Sequence, residues 1–389
     1  MKKEKKLKII IDMVFVISIL SFMFCALAKS ILKPNEIVDS ENRYANKYNK
    51  ITFKDYLTGD LQTNFEETLS DQIIFSSKLK SANNLMDGIM VKASLDVLVD
   101  NENLDYYNLG SIYSYGNDSL VYYPYVLDEY MDELMNKVAM LNKTISEYPE
   151  VEYYFYYIEK DTDINFKNNS KLMAYEYLQE RLNSSNVFRF EINNFEEFKQ
   201  YFYKTDHHWN LYGSYKAYED LLSIFDIDNP KIPNDIDCFN NKFIGSKAMS
   251  YSFLFHEKLC YYNIDYDTIS TYINGEEGQY GFQGGDVDNN ISYPAYHTYY
   301  GFDRGEVIFN SNDDSKENIL IIGESFDNAI IRLLAEKFNI TSSIDLRHYE
   351  RDMGNKFNYE EYLKEYNIDK VLFIGNINYW VSDEFDVIG

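Results

Sequence analysis

Two short segments hold the residue types that an acyl-transfer reaction needs. Residues 318–329 read NILIIGESFDNA: an apolar strand, Gly323, the acid Glu324, then Ser325 ahead of a helix predicted over 326–338. A serine at a strand-to-helix turn, on the C-terminal edge of a parallel sheet, stands where such sheets bind ligands. Main-chain N–H groups of the first helical turn point the same way and stabilise negative charge growing on an attacked carbonyl oxygen. Gly323 lets the chain turn tightly beside a substrate. The segment equally suits a serine that only caps the helix. Residues 203–210 read YKTDHHWN, which places two of the chain's five histidines beside an acid, as Asp206, His207 and His208. A hydroxyl nucleophile needs a base, and the base needs an acid to fix its tautomer. Two other readings of this segment stay open: a metal site made by Asp206 with both histidines, or a solvated loop. Neighbouring residues on a strand face opposite ways, which works against two adjacent histidines ligating one metal. Trp209 either packs beneath the pair or offers a platform for a sugar.

The elements that must position these groups follow an alternating pattern. Residues 151–158, VEYYFYYI, form a β-branched and aromatic strand, followed by a helix over 170–182, a strand over 187–192 and a helix over 211–225. Strands over 318–323, 342–346 and 370–375 follow the second half of the chain, with a helix over 359–366. Strands alternating with helices imply an α/β fold, a parallel sheet flanked by helices. Residues 227–316 break the rhythm. They are rich in Asn, Asp, Gly and Tyr and carry Asn274-Gly275 as a hairpin signal, so they read as an inserted loop and β region suited to acceptor binding.

The chain starts with Lys2, Lys3, Lys5, Lys6 and Lys8, and residues 9–28 then run IIIDMVFVISILSFMFCALA. That run is long enough to cross a bilayer as one helix, with the lysines inside and residues 30–389 outside. Ala26, Leu27 and Ala28 also fit a small-x-small cleavage site, but the run exceeds most signal-peptide apolar regions and favours an uncleaved anchor. Residues 1–29 are thus anchor, 30–92 a stalk with amphipathic entry helices marked by Phe65, Leu69, Ile73 and Ile74, and 93–389 the catalytic domain with its insertion. Beyond residue 29 the chain holds 31 basic and 61 acidic residues, a formal −30, which disfavours nucleic acid and anionic lipid as ligands. Cys25 lies in the apolar run, which leaves Cys238 and Cys260 as one exported disulfide with no metal-like spacing.

Taken together, TDHHWN and the downstream IIGESF resemble the DHHW-motif proteins, relatives of the alginate O-acetyltransferase group with an SGNH-hydrolase-like α/β domain. FEETLSDQ at 65–72 and DLRHY at 345–349 extend the likeness over most of residues 50–389. The resemblance implies that Ser325 is nucleophile, His208 its base and Asp206 the orienting acid, with His207 as fallback base. It further implies oxyanion or substrate-binding positions at Gly323, Asn376, Arg347 and Trp209, and no cofactor or metal. Glu324 departs from the family, which has Asp there. Asp also stands two residues before His208 rather than the three of ordinary SGNH esterases, which supports the acetyltransferase branch. The implied function is O-acetylation of a cell-surface or secreted polysaccharide through a serine acyl-enzyme. Because acetyl-CoA is cytoplasmic, a membrane-bound O-acyltransferase is the implied donor partner. A glycan acetyl esterase with the same triad, or a non-catalytic glycan-binding subunit, would carry the same motifs.

Overall fold

The computed structural model describes residues 2–32, 34, 37–38, 43–47, 52–73, 82, 86, 89–90, 93, 106–109, 111–116, 119–249, 255–263, 269–281 and 294–387. It separates into two compact units, one of Met1–Ser94 with Met249–Leu254, the other of Leu95–Ala248 with Phe255–Gly389.

In the first unit, helix α1 (Lys2–Leu32) includes an apolar span, Ile11–Leu32, with the length and composition to cross a membrane. The helix runs through Ala28 without a break. Helices α2 (Phe53–Thr58) and α3 (Asp60–Gln72) follow. The apolar stripe expected here is not what α3 buries: Thr68, Asp71 and Gln72 are buried while Phe65 is exposed. Asp71 accepts the Asn46 N–H at 2.9 Å, so polar anchoring replaces apolar packing. Ile73 already leaves the helix in an extended conformation, and Ile74 lies outside the described residues.

The second unit is built on an 8-stranded sheet. Its elements, in chain order, are helix α4 (Met131–Glu147), strand β1 (Glu152–Ile158), helix α5 (Ala174–Arg181), strand β2 (Val187–Phe190), helices α6 (Phe195–Tyr201) and α7 (Leu211–Ile224), and strands β3 (Asp235–Phe243), β4 (Glu257–Asn263), β5 (Ser270–Ile273) and β6 (Glu276–Glu277). Helix α8 (Tyr296–Tyr300), strands β7 (Glu306–Asn310) and β8 (Ile319–Ile322), helix α9 (Ile331–Leu334), strand β9 (Ile340–Ile344), helices α10 (Leu346–Met353) and α11 (Tyr359–Glu365), strand β10 (Lys370–Gly375) and helix α12 (Ile377–Val381) follow, with shorter strands and turns between these main elements.

The sheet order is β6-β5-β7-β9-β8-β10-β1-β2. From β9 to β2 the strands are parallel, as expected; beyond β9 each pairing is antiparallel, β7 with β9, β5 with β7 and β6 with β5. The sheet is therefore mixed rather than wholly parallel. The reason is that part of the region 227–316 joins it: Asn274 and Gly275, both at positive φ, turn β5 into β6 as a hairpin. The disulfide-bearing ribbon β3–β4 pairs outside the main sheet, as do short strands within 107–121 and 164–171.

Alternation along the central strands divides the core in two. Ile319, Ile321, Leu372 and Ile374 face a cluster with Phe198, Trp209, Tyr218 and Leu334, while Leu320, Ile322, Val371 and Phe373 face one with Leu134, Leu141, Leu178 and Trp380. Both faces of these strands are apolar because helices cover both. Helix α4, absent from the sequence reading, buries Leu134, Val138 and Leu141 at helical spacing. The helix expected over 326–338 is broken: a 3-10 turn at Asp327–Ala329 leads to the four-residue α9. Within this turn the buried Asp327 side chain accepts the Ser343 hydroxyl at 3.1 Å.

Candidate active site

Ser325 lies three residues beyond β8, at the C-terminal edge of the parallel strands. Gly323 precedes it where a side chain has no room: a Cβ there would sit 2.5 Å from Asp327 Oδ2 and 2.9 Å from Ile374 Cγ2. Its N–H donates to the Ile344 carbonyl, so Gly323 closes the turn and its amide is not directed at a substrate. The Ser325 hydroxyl does not cap the following turn, which has no side-chain cap. It faces His208 instead, with Oγ 2.7 Å from Nε2.

The base arrives from the connection between α6 and α7. Phe202 and Trp209 pair across it, and Asn210 caps α7 by accepting the N–H groups of Tyr212 and Gly213, which pins the far side of the loop. His208 is buried, and its Nδ1 lies 2.6 Å from Asp206 Oδ1. The same oxygen accepts the His208 N–H at 3.0 Å, while Oδ2 accepts the Ser246 N–H at 2.7 Å. Burial alone would raise the Asp206 carboxyl; the charge of the two histidines and these hydrogen bonds outweigh it and hold the group well below the ordinary carboxylate range. An ionised Asp206 places the proton on His208 Nδ1 and leaves Nε2 to accept from Ser325. Both His208 nitrogens are thereby engaged, although Asp206, His207 and His208 lie close enough together to form a metal-ligating group.

His207 does not share this arrangement. Its Nδ1 is 2.6 Å from Ser246 Oγ, and its ring lies on that of His208 at 3.8 Å between centroids. The fallback base is thus turned to Ser246. Trp209 is fully buried, edge-on to Phe326 at 5.3 Å and to Phe190 at 5.8 Å. It floors the site and has no face for a sugar.

Asn376 and Arg347 are placed differently from the sequence expectation. Asn376 caps α12 through its side-chain oxygen, while its side-chain amide and main-chain N–H both donate to Glu324. Glu324 thereby joins the ends of β8 and β10, a role that the longer Glu side chain can span, and the Asn376 amide is engaged at both ends. Burial raises the Glu324 carboxyl, opposed by the Arg347 charge. Arg347 lies in the first turn of α10 and forks onto Asp345, with Nε to Oδ1 at 3.0 Å and Nη2 to Oδ2 at 2.6 Å, and reaches Asp303 at 3.3 Å. Its guanidinium is committed to those acids.

Two contributors were not legible in the sequence. Tyr296 of α8 stacks flat on His208, with centroids 3.8 Å apart and planes within 4°. Among 38 tyrosines nothing local marks it. Ser246, 40 residues from Asp206, has no motif to announce it.

No protein-family model matches this sequence, and neither does any curated protein. Solved structures do. PatB1 from Bacillus cereus is 23% identical over 70% of this chain and 98% of its own, with a TM-score of 0.56. A DHHW family protein from Eubacterium siraeum is 15% identical over 73% of this chain and 96% of its own, with a TM-score of 0.57. The chain has the fold of these proteins. A second structure of PatB1, carrying a sulfonyl adduct, aligns with a TM-score of 0.54 at 23% identity. The DHHW likeness seen in TDHHWN therefore extends to the tertiary fold.

Proposed function

We propose that the chain is an extracytoplasmic, SGNH-like serine O-acyltransferase that moves an acetyl group onto hydroxyls of a cell-surface or secreted polysaccharide. The observation that carries this reading is the unbroken relay from Asp206 through His208 to Ser325, at 2.6 and 2.7 Å. In the first step His208 Nε2 takes the Ser325 proton as Oγ attacks the acyl carbonyl, and the imidazolium returns that proton to the departing oxygen. Asp206 holds Nδ1–H throughout and offsets the imidazolium charge. In the second step a glycan hydroxyl gives its proton to His208 while attacking the acyl-enzyme, and Ser325 is released protonated. The N–H groups of Ser325 and Phe326 are the main-chain donors nearest the nucleophile in sequence, and they are the assigned oxyanion donors in place of the Asn376 amide. Helix α1 is the assigned anchor, and a membrane-bound O-acyltransferase is the assigned supplier of the acetyl group.

The test is intact-mass analysis of the full-length chain in detergent after exposure to an activated acetyl ester, beside Ser325→Ala. An adduct of about 42 Da that maps to Ser325 and is missing from the variant is the expected result. Transfer to oligosaccharide hydroxyls in preference to water then separates transferase from esterase. A wild-type chain that never acquires the adduct at any pH would sink the proposal.

A further inference from the structure

The ribbon β3–β4 stands outside the main sheet, yet both of its strands end on the dipeptide that carries the triad's acid. On the β4 side, Glu257 accepts from the Thr205 N–H and from the Thr205 hydroxyl, each at 2.8 Å and both on one carboxylate oxygen. With its proton directed there, Thr205 Oγ1 accepts the Gly245 N–H at 3.1 Å. On the β3 side the chain leaves Phe243 and reaches Gly245, where a Cβ would lie 2.4 Å from Asp206 Cβ and 2.5 Å from Asp206 N. The following N–H, that of Ser246, is the one that binds Asp206 Oδ2. Phe243 and Glu257 are register partners, so the two grips on Thr205–Asp206 arise from directly opposed positions, and Cys238 is bonded to Cys260 further along the same ribbon.

We infer that Glu257 is a positioning residue for the triad: through Thr205 it fixes Asp206 so that Oδ1 meets His208 Nδ1. The inference rests on the acyl-transfer reading of Ser325. Packing alone gives no reason for an acid at this place. Burial pushes the Glu257 carboxyl up to about 6 against the Thr205 hydrogen bonds that lower it, and Asp206 repels it. A half-buried carboxylate so close to a second one is costly, and its return is the hydrogen bonds from the Thr205 N–H and hydroxyl together with one from the Lys204 N–H. Leu259 and Tyr261, by contrast, are the residues of this strand that pack into the core.

The test uses the full-length chain with Glu257→Ala and Glu257→Gln. Gln keeps an oxygen able to accept both Thr205 bonds; Ala does not. For acylation by an activated ester, Glu257→Ala is expected to lower kcat about tenfold to a hundredfold with KM within about twofold of wild type, while Glu257→Gln keeps most of the rate. The second readout is the far-downfield proton NMR signal of His208 Nδ1–H on Asp206, expected in wild type and Glu257→Gln and lost from Glu257→Ala. That signal needs no turnover. A wild-type chain that carries it but never acylates Ser325 would refute the acyl-transfer reading, and Glu257 would still stand or fall on the signal. Glu257→Ala with wild-type kcat and the signal in place overturns the inference. So does a fall in Glu257→Ala that merely tracks the loss of folded protein in a thermal melt.

Discussion

Ser325 and His208 meet at 2.7 Å, but they are held by unlike parts of the molecule. Ser325 follows a strand buried on both faces, with parallel neighbours on each side and a glycine that admits no side chain. Its place is set by the backbone ladder. Asp206 and His208 sit on a connection whose shape depends on groups from elsewhere: the Glu257 carboxylate of the ribbon, the Ser246 N–H beside it and the Tyr296 ring of α8. A ladder distributes the load over many bonds, so one substitution shifts it little. The second arrangement depends on a few contacts, and removing one leaves a buried polar group unpaired. Damage around the acid and base should therefore appear in catalysis, with damage to the sheet appearing in stability.

The sharpest test of that contrast is Asp206→Asn. It is expected to cost about four orders of magnitude in kcat, because the amide favours the wrong tautomer of His208, with little change in the melting temperature. A loss below about tenfold would mean that the histidine is oriented without Asp206. Next in size is Tyr296→Leu, which removes the flat ring on His208 and is expected to lower kcat by about tenfold to a hundredfold. Tyr296→Phe keeps the ring and should stay near wild type; equal losses in the two variants would assign the effect to the hydroxyl. Removing the cross-link, by Cys238→Ser with Cys260→Ser, tests the ribbon as a whole. The disulfide closes a separation of 22 residues, and its loss should cost about 3 kcal/mol in denaturant unfolding. An unchanged midpoint would place the ribbon's rigidity in its strand pairing.

The smallest effect is expected in the sheet, past the end of β1, where no catalytic group sits. After β1, residues 159–163 are buried, and burial pushes the Asp163 carboxyl up to about 7, opposed by the Tyr157 hydroxyl and the Lys160 N–H. A carboxyl whose pKa is raised by folding stabilises the protein fully below its unfolded value and loses that contribution as pH rises through the folded one. Between pH about 4 and 7 Asp163 thus makes stability decline with rising pH. Asp163→Asn should flatten that part of a pH series of urea melts, with the rate of Ser325 acylation unchanged. A slope that persists in the variant would move the titration to another group.

The sheet was the more legible of the two regions. ILII at 319–322 and KVLFIG at 370–375 advertise buried strands through composition alone, and β10 lies where its pattern places it. The broken helix after Ser325 was not legible: the turn at Asp327–Ala329 is tied to another strand through Asp327 and Ser343, a contact that local spacing does not show. Nor was the contribution of residues 227–316 to the main sheet, since β5 and β7 are short and their pairing is non-local. Arg347 and Asn376 were legible as polar groups near strand ends, but not the partners that engage them, Asp345 and Glu324.

By itself the sequence determined the chemical repertoire: a serine behind an apolar strand, and an acid with two histidines in one loop. It also determined the apolar run at the N-terminus. Which histidine faces Ser325 was decided only by the tertiary structure. Neighbouring side chains in a loop diverge by an amount that local spacing does not set. Here the direction is set by Asp206, fixed by an N–H group 40 residues away, and by a serine 117 residues from His208. Contacts across such separations leave no period in the chain, because they obey the packing of whole elements and not the geometry of any one of them.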